Sequence, residues 1–179
     1  WVCLAVLENC RKASDYRVLA ARREFRPLPQ TDARALNIGV YGVGAIGKEV
    51  VRQLVALGFD VTGYNRSKRA PDIISYHHGD EGLAVMLSEM DIHICLMPLT
   101  QETTGFFNAA RFAQMKIGAY MINAGRGGHI IEDDLLAAIN TGHLSGACLD
   151  VFDTEPLPDD HAFWGHPHIS IWPHVAAQT

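Results

Sequence analysis

Four stretches of the sequence carry residues whose types and spacing could do chemistry. They are Gly42-x-Gly44-x-x-Gly47, the run Asn65 to Arg69, the segment Asn123-Ala124-Gly125-Arg126-Gly127, and the separated pair Glu155 and His174. In the first, Gly42 permits a tight turn and Gly44 lets the backbone approach a pyrophosphate. Gly47 lets the following helix pack closely, and Ala45 and Ile46 begin that helix, whose free N–H groups would face the anion. A glycine-rich turn with no ligand is the competing reading. A strand before the turn and a helix after it favour a dinucleotide.

About 20 residues beyond such a turn, an NAD-binding protein places Asp or Glu to accept from the ribose 2′-hydroxyl. Here that position holds Asn65, followed by Arg66, Ser67, Lys68 and Arg69. A carboxylate would repel a 2′-phosphate, whereas an amide, a hydroxyl and several cations would bind it, so NADP is expected over NAD. The alternative is a loop of solvated charges. Arg126, Glu155 and His174 suit the reduction of a 2-keto acid. Arg126 can make a bidentate contact with the substrate carboxylate, His174 can supply the proton for the forming alkoxide, and Glu155 can hold the imidazolium. Singly, each has a plainer reading, as a salt-bridge partner, a surface carboxylate and a turn residue after Pro173.

The elements that must position these residues alternate along the chain. Apolar and β-branched runs predict strands near 36–41, 60–64, 73–76, 92–97, 119–123, 146–149 and 168–172, with helices near 45–57, 80–89, 108–114 and 132–141. Such alternation predicts an α/β fold, a Rossmann doubly wound parallel sheet with helices on both faces. Residues 1–25 read as a two-part helical arm, 26–35 as a linker broken by Pro27 and Pro29, and 36–179 as the dinucleotide-binding domain. The sites all fall at the carboxyl ends of strands, where open α/β sheets bind ligands.

Composition narrows the alternatives. The 179 residues are 48% hydrophobic and 20% charged with a net charge of -5, so one globular domain is expected and nucleic acid is not an expected ligand. No apolar run reaches the roughly 18 residues a membrane span requires, and no signal peptide pattern opens the chain, so a cytoplasmic protein with no membrane partner is expected. Cys3, Cys10, Cys95 and Cys148 form no framework and read as reduced thiols. The nine histidines, among them His77, His78, His161, His166 and His168, lack the spacing of a metal site. His129 and His143 are expected at the surface. A start at Trp1 and a stop just after an apolar, proline-containing stretch suggest a fragment.

Taken together, the glycine turn, Asn-x-x-Arg-Gly, Glu-Asp-x-Leu-Leu-x-Ala-Ile, Gly-x-x-Leu-Asp-Val-Phe-x-x-Glu-Pro-Leu-Pro and Pro-His-Val-Ala-Ala resemble the D-2-hydroxyacid dehydrogenase family. Within it the chain is most similar to the glyoxylate/hydroxypyruvate reductase A branch, through Tyr64-Asn65-Arg66-Ser67, Gly128 to Asp134 and Phe163-Trp164-Gly165-His166-Pro167. The resemblance implies Arg126 as the substrate arginine, His174 as acid/base and Glu155 as its partner. It implies Asp150 at the nicotinamide carboxamide, with Pro98, Leu99, Thr100 and Thr104 along the cofactor pocket and Asn123, Ala124 and Gly125 near the nicotinamide ribose. It also implies a small 2-keto or 2-hydroxy acid substrate and a homodimer formed through the arm, where Trp1, Val2, Leu4, Val6, Leu7, Val18 and Leu19 offer apolar surface. The family's substrate domain is absent from the sequence, so the fragment alone is expected to be inactive or nearly so. Two other readings stay open: a branch using NAD, and a dinucleotide-sensing binding module like the family's corepressors.

Overall fold

The computed structural model describes residues 1–66 and 74–178. Ser67, Lys68, Arg69 and the predicted start of the third strand at Ile73 lie outside the described residues. Seven strands form one sheet: β1 Asn37–Tyr41, β2 Asp60–Tyr64, β3 Ser75–His77, β4 Ile92–Cys95, β5 Ala119–Asn123, β6 Leu144–Leu149 and β7 Ile169–Ile171. Their order is β3-β2-β1-β4-β5-β6-β7, and every pairing is parallel. This is the doubly wound Rossmann arrangement, with the order reversing between β1 and β4. The central strands read as unbroken apolar runs because both of their faces are covered, and Ile92 to Cys95 is buried at every position.

Helices α1 Val2–Cys10, α2 Ala13–Ala21, α3 Ala45–Ala56, α4 Gly79–Glu89, α5 Ala109–Phe112 and α6 Glu132–Asn140 complete the layers. Val2 and Val6 of α1 and Val51 and Leu54 of α3 close one face over Ile38, Val40 and Ile122. Leu83 and Met86 of α4, Phe112 of α5 and Leu135 of α6 close the other over Tyr41, Met121 and Ala147. Each fully buried side chain of this kind contributes about 1.5–3 kcal/mol. The arm is therefore partly core: Val2, Val6 and Leu19 are buried within the chain. Trp1 meets Trp172 edge-on at 5.9 Å between ring centroids. Leu4, Leu7 and Val18 remain exposed. No helix of the described residues is long and apolar enough to cross a membrane.

Two boundaries differ from expectation for local reasons. The second arm helix stops at Ala21, short of Phe25, because Arg23 adopts a left-handed backbone with φ 59°. The Glu24 N–H then reaches back to Leu19 O at 2.9 Å and the Arg23 N–H to Ala20 O at 3.0 Å, the double return bond of a Schellman ending. Glycine ordinarily marks that position, and here arginine fills it. The helix expected over 108–114 is a single turn, α5, opened by Asn108 Oδ1 accepting from the Arg111 N–H.

Beneath α4 and α5 lies a polar pair that the apolar pattern conceals. Tyr41 Oη and His93 Nδ1 are 2.9 Å apart, and both side chains are fully buried. Burial lowers the His93 pKa to about 4 from its ordinary 6.5 and pushes the Tyr41 hydroxyl well up. Folding thus requires a neutral imidazole. Its contribution is complete above pH 6.5 and is lost as pH falls towards the folded value, because the unfolded chain binds the extra proton. Urea denaturation between pH 6.5 and about 5 is expected to show stability falling with a limiting slope of about 1.4 kcal/mol per pH unit. His93→Phe is expected to flatten that slope over the same interval.

Candidate active site

The glycine turn is shaped by two contacts. Gly42 has φ +96°, and a Cβ there would meet the Leu96 and Met97 backbone at 2.7 Å. A Cβ on Gly47 would lie 2.4 Å from Gly42 O, so α3 can start against β1 only without one. Gly44 has open space where a Cβ would point, and it caps α3 with no side-chain hydrogen bond. The opening would admit an anion such as a pyrophosphate to the N–H groups of the first helical turn. A groove of about 520 Å³ runs from Gly42, Gly44, Ala45, Ile46 and Gly47 past Pro98 and Leu99 to Ala124, Gly125 and Arg126. These ten sequence-predicted residues share one surface.

Other predicted cofactor residues have different tasks in the structure. Asn65 Oδ1 accepts the Val43 N–H at 2.8 Å, tying the end of β2 to the glycine turn. Thr100 and Thr104 do not line the groove. Their hydroxyls are engaged in the turn after β4, Thr104 Oγ1 donating to Thr100 O and Thr100 Oγ1 to Glu102, each at 2.8 Å. Asn123 is fully buried beneath the next loop, accepting from the Gly125 N–H at 3.1 Å and donating to Arg126 O at 3.0 Å. Arg66 is exposed, 3.5 Å from Glu102.

The Arg126 loop rests on His129, which the sequence places at the surface and the structure buries completely. The short 3₁₀ turn Gly127–His129 swings the ring inward, where Nδ1 accepts the Arg126 N–H at 3.0 Å. Nδ1 is also 2.9 Å from Arg126 O, and burial holds the His129 pKa below its ordinary value, which favours the neutral ring. Gly127 makes the juxtaposition possible. A Cβ there would fall 1.8 Å from the Phe152 carbonyl carbon, so the loops after β5 and β6 touch backbone to backbone. His143, also expected at the surface, is half-buried, with Nε2 enclosed.

Glu155 and His174 are brought into direct contact, His174 Nδ1 to Glu155 Oε2 at 2.7 Å. Burial raises the Glu155 pKa, but the bonds from His174 and the Phe152 N–H, with the charges of His174 and Arg126, leave it below the usual carboxylate range. The pair borders an apolar pocket of about 470 Å³ with Phe152, Leu157, Trp164 and Trp172. Arg126 lines the cofactor groove and does not border this pocket. His174 itself has a left-handed backbone, φ 55°, a conformation that costs a non-glycine residue energy and must be held from outside.

Asp150 does the holding. Its carbonyl accepts the His174 N–H at 2.9 Å, and its carboxylate oxygens accept the Val175 and Ala176 N–H groups at 2.9 and 2.8 Å. Asp150 is 1% exposed, and these bonds engage both of its carboxylate oxygens. Glu132 is a further anchor, and one that the sequence reading leaves unassigned. Its carboxylate accepts the Asp153 N–H at 3.1 Å and meets His161 Nε2 at 3.2 Å, bracing the loop that carries Glu155. Asp150→Ala is expected to destabilise the chain by about 2–4 kcal/mol, because two charge-assisted bonds are lost. Hydrogen exchange at Val175 and Ala176 should accelerate with it, and unchanged protection there would disprove the role.

Comparison with known proteins places this geometry. Residues 3–176 match the family model described as D-isomer specific 2-hydroxyacid dehydrogenase, NAD binding domain. The glyoxylate/hydroxypyruvate reductase A of Serratia proteamaculans is 43% identical over 174 residues, covering 97% of this chain and 56% of that protein. An NADPH-dependent glyoxylate/hydroxypyruvate reductase of Sinorhizobium meliloti, solved with NADP and sulfate, superposes with a TM-score of 0.94 at 39% identity, covering 98% of this chain and 57% of that one. Its apo form gives a TM-score of 0.96 at 39% identity, covering 100% of this chain and 92% of that one. The chain thus spans little more than half the length of the curated relatives it matches. With the parallel sheet, the glycine turn and the Glu155–His174 pair in place, the chain belongs to the D-isomer specific 2-hydroxyacid dehydrogenase family.

Proposed function

We propose that the chain is the coenzyme-binding part of an NADPH-dependent reductase of glyoxylate or hydroxypyruvate. The observation that carries this reading is the 2.7 Å bond between His174 Nδ1 and Glu155 Oε2, with the charge of Arg126 from the groove acting on Glu155. A reduced nicotinamide bound in that groove would supply the hydride for the carbonyl carbon. Glu155, held ionised, accepts from Nδ1–H of the protonated His174 ring, and Nε2–H gives its proton to the carbonyl oxygen, leaving the neutral Nδ1–H tautomer. Arg126 offers its guanidinium to the substrate carboxylate. The relatives' activity and the NADP found with one of them support the same assignment. Arg126, Glu155 and His174 are all exposed, so water reaches the whole site in this chain. A polypeptide of these residues alone is expected to bind NADPH and to turn over little substrate.

The test is a chimera in which residues 1–179 replace the matching segment of the Serratia proteamaculans relative. It is expected to oxidise NADPH with glyoxylate and with hydroxypyruvate. His174→Ala should lower kcat by about 10²- to 10⁴-fold with NADPH affinity unchanged. Turnover at the parent rate in that variant would remove the mechanism, and tighter binding of NAD than NADP would remove the cofactor assignment. We also propose a twofold mate on the arm, over the exposed Leu4 and Leu7 one helical turn apart. Sedimentation is expected to show a dimer that the double variant L4E/L7E converts to monomer, and an unshifted mass would refute that contact.

A further inference from the structure

Arg66 and Glu102 face one another across the carboxyl end of β1. The sheet order puts β2 and β4 on either side of β1, with Tyr41 paired to Tyr64 on one flank and to Cys95 on the other. Strands two places apart lie about 10 Å from one another, and only long side chains span such a gap. Arg66 leaves from just beyond β2 and Glu102 from the turn after β4, and Arg66 Nη1 comes within 3.5 Å of Glu102 Oε1. The pair therefore arches over the strand that feeds the glycine turn.

The two partners are not equally free. Glu102 Oε2 accepts from Thr100 Oγ1 at 2.8 Å. Its turn is cross-tied as well, Thr103 Oγ1 donating to Pro98 O and accepting the Thr100 N–H, both at 2.8 Å. The carboxylate is thus anchored by its own loop. Arg66, with 76% of its side chain exposed, is the partner that can move.

We propose that Glu102 is a specificity-determining residue of the cofactor site: it competes with the ribose 2′-phosphate for Arg66 and so sets the margin by which NADP is preferred to NAD. The proposal rests on the NADP reading above. A 2′-phosphate must draw the guanidinium from an anchored carboxylate and then lie close to that carboxylate's charge. A 2′-hydroxyl carries no charge to be repelled and gains little from Arg66. An exposed ion pair at this separation is weak, so the competition trims the preference without abolishing it. Arginine suits this exchange, because its planar fork binds carboxylate and phosphate by the same donors.

The experiment titrates the 179-residue chain with NADPH and NADH, by fluorescence or calorimetry, as the parent and as E102Q, R66Q and the double variant. Both side chains are exposed, and circular dichroism checks that each variant folds. E102Q is expected to bind NADPH about three- to five-fold more tightly, the range an exposed ion pair allows, with NADH affected less than about two-fold. R66Q should weaken NADPH selectively, and the change at position 102 should gain less in the R66Q background than in the parent. An unchanged or reduced NADPH/NADH ratio in E102Q would overturn the proposal. Equal gains in both backgrounds would overturn it too, since Glu102 would then act without Arg66. A parent chain that prefers NADH would instead defeat the NADP reading, which is a separate outcome.

Discussion

All seven strands point the same way, and that single constraint decides where chemistry can occur. Parallel neighbours need crossovers, the crossovers put helices on both faces, and the faces are then closed to ligands by Val51, Leu54, Met86 and Leu135. The row of carboxyl ends remains open, and the predicted site residues lie along it. Gly42, Asn65, Pro98, Ala124, Asp150 and His174 all occur within a few residues of a strand's last position. Chain direction alone thus gathers residues more than 100 positions apart in sequence, such as Gly42 and His174.

Direction gathers the loops, but polar anchors give them their shape. Three carboxylates or amides act beneath the exposed groups: Asp150 under His174, Asn123 under Arg126, and Asn65 under the glycine turn. Each accepts backbone N–H groups that no helix or strand satisfies, which is how irregular backbone survives partial burial. The arrangement explains why His174 can keep a left-handed backbone. The strain sits in one residue, while Asp150 meets three consecutive N–H groups around it. Hydrogen bonds to an ionised acceptor, at about 1.5–3 kcal/mol each, exceed the cost of one such conformation.

The sequence made the sheet legible because its signals are local. Apolar runs mark buried strands, and Gly42, Gly44 and Gly47 mark the turn by spacing alone. The Glu155–His174 contact could also be foreseen, since both residues follow strands that lie side by side. The second layer was less visible. His129 looks like a loop histidine until the 3₁₀ turn after Arg126 rotates it inward, and a three-residue turn has no periodicity to read. Only the family resemblance of its Leu-Asp-Val motif points to Asp150, and its bonds to backbone N–H groups 25 and 26 residues later are encoded by no side-chain pattern. Arg23 ended a helix where glycine would have announced the stop.

Charge around the groove follows from the same geometry. Arg126 and Arg66 stand towards opposite ends of the carboxyl edge, one beyond β5 and one beyond β2, with the glycine turn between them. On the proposed reading, a dinucleotide lying across that edge would present its pyrophosphate to the middle, with one cation towards each end. Glu155 and Glu102 are the counter-charges, Glu155 bound to His174 with the Arg126 charge nearby, and Glu102 3.5 Å from Arg66. Each cation is thus moderated by a carboxylate that its own loop holds in place, Glu155 through the Phe152 N–H and Glu102 through Thr100. Glu102, so anchored, keeps Arg66 beside the edge, whereas the Arg126 guanidinium donates to Gly125 O of its own loop. On the proposed reading, affinity at the Arg66 end is a difference between two competing anions, so a substitution at Glu102 alters selectivity more than it alters the fold.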